Sequence, residues 1–261
     1  MLYSYNLTMG YTDILHSETV HVRGSKNWKE PPGSFDPLHL AYPYSAKNDR
    51  DIPDIPPQSK DLKIPEGLNP HRFKQQNPKY PALLEFFVDD YHFQSAWNRP
   101  HLILRTVTRK EFWGVCTPDF SLWVDMPVVL QLYQTYRNRR LGCFWKAHGV
   151  NVIPSVCWVD ERSFDFCFEG IAEGQIISHG VPGFPYPVWR ETFLDGYREM
   201  VRRLKPRHVI AFGKMPMEEA LAETTVFPRY FLDRKKQKKS YHNDTGNDSS
   251  DCYHNDNEIN K

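Results

Sequence analysis

Most of the short motifs that mark an enzymatic chemistry are absent from this chain. It has no Walker loop, no GxGxxG, HExxH or GxSxG motif, and no cysteine-rich metal-binding set. No repeat recurs at a fixed period, and no stretch approaches the roughly 18 consecutive apolar residues of a transmembrane helix. These absences argue against the familiar nucleotide, hydrolase and zinc sites, so function has to be inferred from the fold and from where reactive residues fall on it.

An excess of charge of one sign is also lacking. The formal net charge is +1 and the calculated pI is about 7.7. This balance argues against a protein whose main role is to coat nucleic acid, although a local basic patch stays possible. The first residues, MLYSYNLTMGYTD, lack the basic start and apolar core of a secretory signal. We therefore expect a soluble cytoplasmic protein without a membrane partner.

Cysteine is scarce, and its pattern does not indicate a metal site. The chain has five cysteines, an odd number, and none forms a CxxC pair. Four of them occur in apolar segments, where a reduced cysteine packs as a small hydrophobic residue: Cys116, Cys143, Cys157 and Cys167. This usage indicates a reducing compartment.

Three zones of different composition divide the chain. Eleven of the 21 prolines lie in the first zone, residues 1–81, which we predict to be an irregular arm wrapped over a core. Residues 82–233 are ordinary globular material and carry the predicted α/β domain. Residues 234–261 open with the basic run Arg234–Lys239 and continue in polar residues, so they are predicted to be a disordered tail.

The middle zone alternates apolar runs with amphipathic segments. The predicted strands are 83–90, 112–119, 150–158, 175–180 and 208–213, with a possible sixth at 225–232. Proline 154 suggests a bulge or an edge position for the third strand. Predicted helices lie between the strands; the clearest has Asp125 as N-cap, Val129, Leu132, Tyr133 and Tyr136 on its apolar face, and Gly142 as its stop.

This alternation predicts an α/β fold with a mostly parallel sheet of five or six strands and helical crossovers. Two architectures fit: an open doubly wound sheet or an incomplete β/α barrel. A complete β/α barrel has eight strands, and residues 82–233 are too few to hold them, so the sequence favours the open sheet.

Acidic residues follow three of the predicted strands. Asp89 ends the first, Asp119 ends the second, and Asp160 with Glu161 follows the third. In either architecture the carboxyl ends of parallel strands share one rim, where ligands bind. Asp89 and Asp119 could hold Mg²⁺ or Mn²⁺, or the carboxylates could act as an acid/base pair. The alternative is that they are loop, capping or arginine-paired residues.

Other side chains could complete such a site. Arg137 and Arg139 could bind phosphate, but they also suit the end of a helix, where cations complement the dipole. Trp158 could stack on a base or sugar, or be buried. His179 follows the fourth strand and could be a base or a ligand, or a structural residue.

Several motifs together resemble a known family. They are Phe86–Tyr91, Thr117–Pro127, Tyr136–Gly142, Val152–Glu161 and Ser163–Gly170. In order and content they are similar to domain-of-unknown-function family 4417, over residues 82–215. The family is associated with bacteria, phages and mobile elements, which implies a role near DNA metabolism or phage–host conflict. The resemblance supplies no catalytic residues, and Val159 stands where the family usually has glycine.

Two hypotheses follow. The first is an enzyme with an acidic metal or acid/base site at the strand-end rim, acting on a nucleotide, nucleic acid or other phosphate compound. The second is a non-catalytic binding module that docks a host protein or DNA through the arm and the basic tail.

Overall fold

The computed structural model describes residues 36–38, 43–71, 81–182 and 187–227 of the chain. The basic run Arg234–Lys239, the rest of the predicted tail and most of the predicted arm lie outside these residues. The division of the chain into arm, domain and tail therefore stays a prediction.

The described residues form an α/β protein, as the sequence predicts. The strands are β1 (Gly67–Pro70), β2 (Ala82–Glu85), β3 (Gly114–Cys116), β4 (Val152–Ile153), β5 (Ile176–Gly180), β6 (His208–Phe212) and β7 (Thr224–Phe227). The α-helices are α1 (Gln94–Asn98), α2 (Pro100–Arg109), α3 (Val128–Ala147), α4 (Glu161–Phe164) and α5 (Pro187–Leu204). Short 3₁₀ turns occupy Asp90–His92 and Met217–Glu219. No helix among the described residues is long and apolar enough to cross a membrane.

All strand pairs are parallel, and their order follows the chain. β1 to β4 form one sheet and β5 to β7 a second. One parallel bridge, Ser155 to Ser178, joins the two just beyond Pro154, whose ring removes the amide donor that the ladder would need. Pro154 thus lies where the regular pairing of β4 ends, between the two sheets, and its carbonyl accepts from the Ser178 amide.

The strand order decides between the two architectures. A doubly wound sheet reverses its strand order at a switch point, whereas a β/α barrel runs in chain order. Here the order has no reversal, and side chains of non-adjacent strands meet inside. The Ser178 hydroxyl on β5 lies 3.5 Å from the Cys116 sulfur on β3, and the rings of Phe87 and Phe212 stack with centroids 5.1 Å apart. The incomplete β/α barrel is therefore the better description, with seven strands in the described ranges rather than the five or six predicted.

The proline-rich segment contributes both irregular chain and one strand. Ile52 and Ile55 are buried, and the Gln58 side chain bridges β4 and β5 by donating to the carbonyls of Val152 and Ile176 and accepting from the Ile176 amide. β1, however, lies inside the segment that the sequence predicts to be free of sheet. It pairs with β2 up to Pro70, the last residue of the strand, where a missing donor costs little.

Helix α3 differs from its prediction at both ends. It begins at Val128 with no side-chain cap, so Asp125 is not its N-cap, and it runs through Gly142 to Ala147. A Cβ on Gly142 would lie 2.6 Å from Ile55 Cδ1. Glycine is therefore needed here for close packing of the helix on the proline-rich segment, not for ending the helix. Val129, placed on the apolar face by its spacing, is instead 68% exposed.

Candidate functional site

The carboxyl ends of the strands form one rim, and Asp119 lies within it. Its Oδ2 atom is 3.4 Å from the position that a Cβ would take on Gly180, the last residue of β5. Phe87 Cδ1 is 3.3 Å from the same position. Phe87, Gly180 and Phe212 therefore border the rim around the Asp119 carboxylate.

Below the rim, the interior is polar. The hydroxyls of Ser155 and Ser178 lie 3.0 Å apart, and Glu85 is fully buried, with its carboxylate accepting from the Phe87 amide. Burial raises the pKa of Cys116 far above its usual range, and the nearby carboxylates of Glu85 and Asp119 add to this. The thiol therefore stays protonated and is a poor nucleophile. Glu85 escapes notice in the sequence because it stands within an apolar strand.

Asp89 and Asp90 have different roles. Asp89 is exposed and precedes the 3₁₀ turn, to which its backbone carbonyl contributes by accepting from the His92 amide. The Asp90 carboxylate accepts from both the amide and the hydroxyl of Ser121, at 3.1 and 2.7 Å. It therefore ties the loop after β2 to the loop after β3.

Asp160 is a capping residue. Its carboxylate accepts from the Arg162 amide at the start of α4 and pairs with the Arg162 guanidinium at 2.7 Å. Hydrogen bonding from Arg162 lowers the pKa of Asp160. Glu161 is exposed in the first turn of the same helix, where a carboxylate suits the dipole. Neither geometry requires a catalytic role, although the assignment of both residues to a site stays a prediction.

The two arginines predicted to bind phosphate are buried in the middle of α3 rather than at its end. The Arg137 guanidinium lies 3.8 Å from the ring centroid of Phe120 and donates to the side chains of Gln94 and Gln134. Arg139 donates to the backbone carbonyls of Ser155, Cys167 and Glu169 and to the Asn138 side chain. Burial lowers the pKa of Arg139 to about 10. Both cations are committed to internal contacts.

Trp158 and His179 lie on the outer side of the sheet, against α5. The Trp158 indole donates to the Phe193 carbonyl and lies against Gly196, where a Cβ would be 2.1 Å from the indole. The His179 ring is packed beside Trp158, Phe193 and Tyr197. Successive side chains of a strand face opposite ways, so Gly180 borders the rim while His179 faces the helix. His179 therefore lies on the opposite face of β5 from the Asp119 carboxylate.

The described ranges contain no group of three or more histidine, cysteine, aspartate or glutamate side chains placed to hold a metal ion. Asp89 and Asp119 as a Mg²⁺ or Mn²⁺ pair stay a prediction, as does the use of any cofactor.

A different feature stands out at the same rim. Six large apolar side chains are exposed on the loop after β3, the start of α3 and the adjoining 3₁₀ turn: Tyr91, Trp123, Val124, Val128, Val129 and Leu130. We call them the presenting surface. Tyr91 and Trp123 are 73% and 61% exposed. Five of the six fall within residues 123–130, and exposed apolar side chains concentrated in this way favour an interaction site over ordinary surface.

The loop beneath the presenting surface is firmly held through its backbone. Gln131 is buried and donates to the carbonyls of Trp123 and Met126, at 3.1 and 2.9 Å. Arg162 donates to the Val124 carbonyl at 2.8 Å, and Asp90 holds Ser121. The backbone is thus fixed from three sides while the apolar side chains face outward. The sequence gives a partial indication of this surface, because Trp123 and Val124 do not belong to the apolar spacing of any predicted helix or strand.

The comparisons with known proteins agree with the resemblance seen in the sequence. Residues 44–230 match the family model described as "Domain of unknown function (DUF4417)". The chain is 35% identical over 217 residues to the "Gene 1 protein" of Mycobacterium phage L5, covering 82% of this chain and 94% of that protein. It is 34% identical over 221 residues to the "Gene 1 protein" of Mycobacterium phage D29, covering 82% and 80%. No solved structure matches. The chain therefore belongs to the DUF4417 family and is a phage-type protein.

Proposed function

We propose that this chain is a binding module that docks another macromolecule through the presenting surface. One observation supports this most directly: the backbone of residues 121–126 is fixed by buried or paired side chains, whereas the apolar side chains it carries are exposed. A loop held in this way loses little conformational entropy on binding. Exposed apolar side chains on such a loop gain by leaving water.

The docking surface differs from the one that the sequence suggested. The arm and the basic tail lie largely outside the described residues, and the proposal does not depend on them. It depends on the rim, which carries ligand sites in β/α barrels.

Site-specific photo-crosslinking tests the proposal. A photoreactive phenylalanine replaces Val124 in one protein and Arg105, an exposed residue of α2, in the control. Irradiation in expressing cells should give a discrete adduct from position 124 and none from position 105. A Trp123→Asp, Val129→Asp background should abolish that adduct without lowering the melting temperature, since both side chains are exposed. Equal adducts from the two positions, or an adduct unaffected by the double substitution, would contradict the proposal.

A second candidate is acid/base catalysis at the rim, which one specific observation favours. The Asp119 carboxylate faces Gly180 from across the barrel, next to the aromatic pair Phe87 and Phe212. A second carboxylate, that of the fully buried Glu85, acts on the same Cys116 thiol as Asp119, so two candidate acid/base groups share this interior. A Gly180→Ala substitution would press a methyl group against the Phe87 ring and into contact with the Asp119 oxygen, and it should reduce turnover of any substrate, as should Asp119→Asn. If both variants keep full activity in an assay where the wild-type chain turns over a substrate, this candidate is wrong.

A further inference from the structure

We infer that the presenting surface receives a polypeptide segment that combines lysine or arginine with large apolar side chains. This inference rests on the proposed docking function and adds the chemical class of the partner. It follows from the charges that surround the apolar side chains.

Exposed carboxylates adjoin the presenting surface. Asp89 is exposed two residues before Tyr91. Asp125 is exposed between Val124 and the start of α3, and Glu161 is exposed in the first turn of α4, which contacts the loop through Arg162.

The positive charge of Arg162, which lies among these carboxylates, is largely neutralised. The Arg162 guanidinium contacts both oxygens of Asp160, at 2.7 to 3.2 Å, so its charge is paired within the chain. Within the part of the chain that the structure describes, the carboxylates of Asp89, Asp125 and Glu161 form no ion pair, so they give this surface negative charge. Complementary potentials favour a partner that carries positive charge.

The same field disfavours two other occupants. Nucleic acid would bring phosphates against carboxylates, the opposite of the cation contacts on which its binding depends. A second copy docked through the same surface would bring two patches of the same negative charge together, because a twofold interface uses one patch on both subunits. Like charges placed together cost binding energy.

A display selection on the full-length chain tests the partner class. A random library of 12-residue peptides is selected on the wild-type chain and on three variants. In the first variant, Trp123→Ser and Val129→Ser remove apolar groups; in the second, Asp125→Lys and Glu161→Lys reverse the local charge. The third, Glu173→Lys, reverses an exposed charge after α4 and is the matched control.

The wild-type chain and the control should enrich peptides that combine lysine or arginine with tryptophan, phenylalanine or leucine. The charge-reversed variant should bind a selected basic peptide at least tenfold more weakly at low salt, with a smaller difference at high salt because of screening. It should also select acidic peptides. The serine variant should bind neither the basic nor the acidic peptides.

Each contrary outcome has a separate meaning. Enrichment of neutral or acidic peptides by the wild-type chain, or no change on charge reversal while the serine variant loses binding, overturns the basic-partner inference and leaves the docking function standing. Full binding by the serine variant overturns the docking function itself. Tight binding of a single-stranded oligonucleotide, or a dimer in sedimentation equilibrium that the serine variant lacks, assigns the surface to another occupant and also overturns the inference.

Discussion

His179 is expected to give the protein a specific loss of stability at mildly acidic pH. The side chain is completely buried, and rings of Trp158, Phe193 and Tyr197 lie around it with centroids 5.6 to 5.8 Å away. Among the described residues, none makes a hydrogen bond of ordinary geometry with either ring nitrogen. Burial lowers the pKa of His179 from 6.5 to about 4 and outweighs the opposing effect of the Gly180 backbone.

The size of the effect follows from the two pKa values. The unfolded chain takes up the proton near pH 6.5, whereas the folded chain takes it up only near pH 4. The contribution is therefore fully present above the unfolded pKa and is lost as the pH falls toward the folded pKa. A shift of this size corresponds to about 3 kcal/mol in the free energy of unfolding, of which about 2 kcal/mol is lost between pH 7 and pH 5.

Urea unfolding at pH 7 and pH 5 measures this loss. A His179→Leu variant removes the titrating group and fills a similar volume, so its stability should fall by about 2 kcal/mol less than that of the wild-type chain over the same interval. It should also be at least as stable at pH 7, because two buried nitrogens without hydrogen bonds are removed. His101→Leu, at an exposed position of α2, is the control and should behave as the wild type. Equal losses in the wild-type and His179→Leu proteins would refute the reasoning.

Three other substitutions have defined expectations. Asp36→Ala should lower the free energy of unfolding by about 3–5 kcal/mol in urea titrations, since it leaves the buried Arg140, 2.8 Å away, without its carboxylate; exposed Asp49→Ala should have little effect. Gly196→Ala should cost about 1–3 kcal/mol because its methyl group meets the Trp158 indole, and Trp158→Leu should reduce that cost. Gln131→Met should speed hydrogen exchange at the Trp123–Met126 loop and weaken binding of a selected peptide, whereas Trp123→Ser should weaken binding only.

The sequence predicts the α/β class, the parallel pairing and the family because these depend on local patterns. Apolar runs such as Leu83–Phe87 and the i, i+3, i+4 spacing of α5 are visible without knowledge of distant contacts. Strand β1 could not be predicted from the sequence, because it is defined by its pairing with β2 rather than by its own composition. The barrel-like order also depends on long-range contacts, such as the Phe87–Phe212 stack, that no periodicity contains.

The site was harder to predict because the role of a polar residue depends on which partner folding supplies. Arg137 and Arg139 occur where cations suit a helix end, but α3 continues beyond Gly142 and encloses them. Asp160 follows a strand as a catalytic carboxylate would, yet its carboxylate is already bound by the backbone amide and the guanidinium of Arg162 at the start of α4. The Asp119 carboxylate lies beside Gly180 at the end of β5, as expected if the carboxyl ends of parallel strands share an edge, but its use in a site stays a prediction.

The two proposed uses of the rim depend on different kinds of fixed structure. Catalysis would need Asp119 to be oriented within the barrel, where its carboxylate lies beside Gly180. Docking needs the opposite arrangement, in which the backbone is fixed and the side chains remain available. The Trp123–Met126 loop has this arrangement, because Gln131 and Arg162 bind its carbonyls and leave the Trp123 ring exposed. Since preorganisation reduces the entropy lost on association, the buried glutamine should affect affinity without touching the partner.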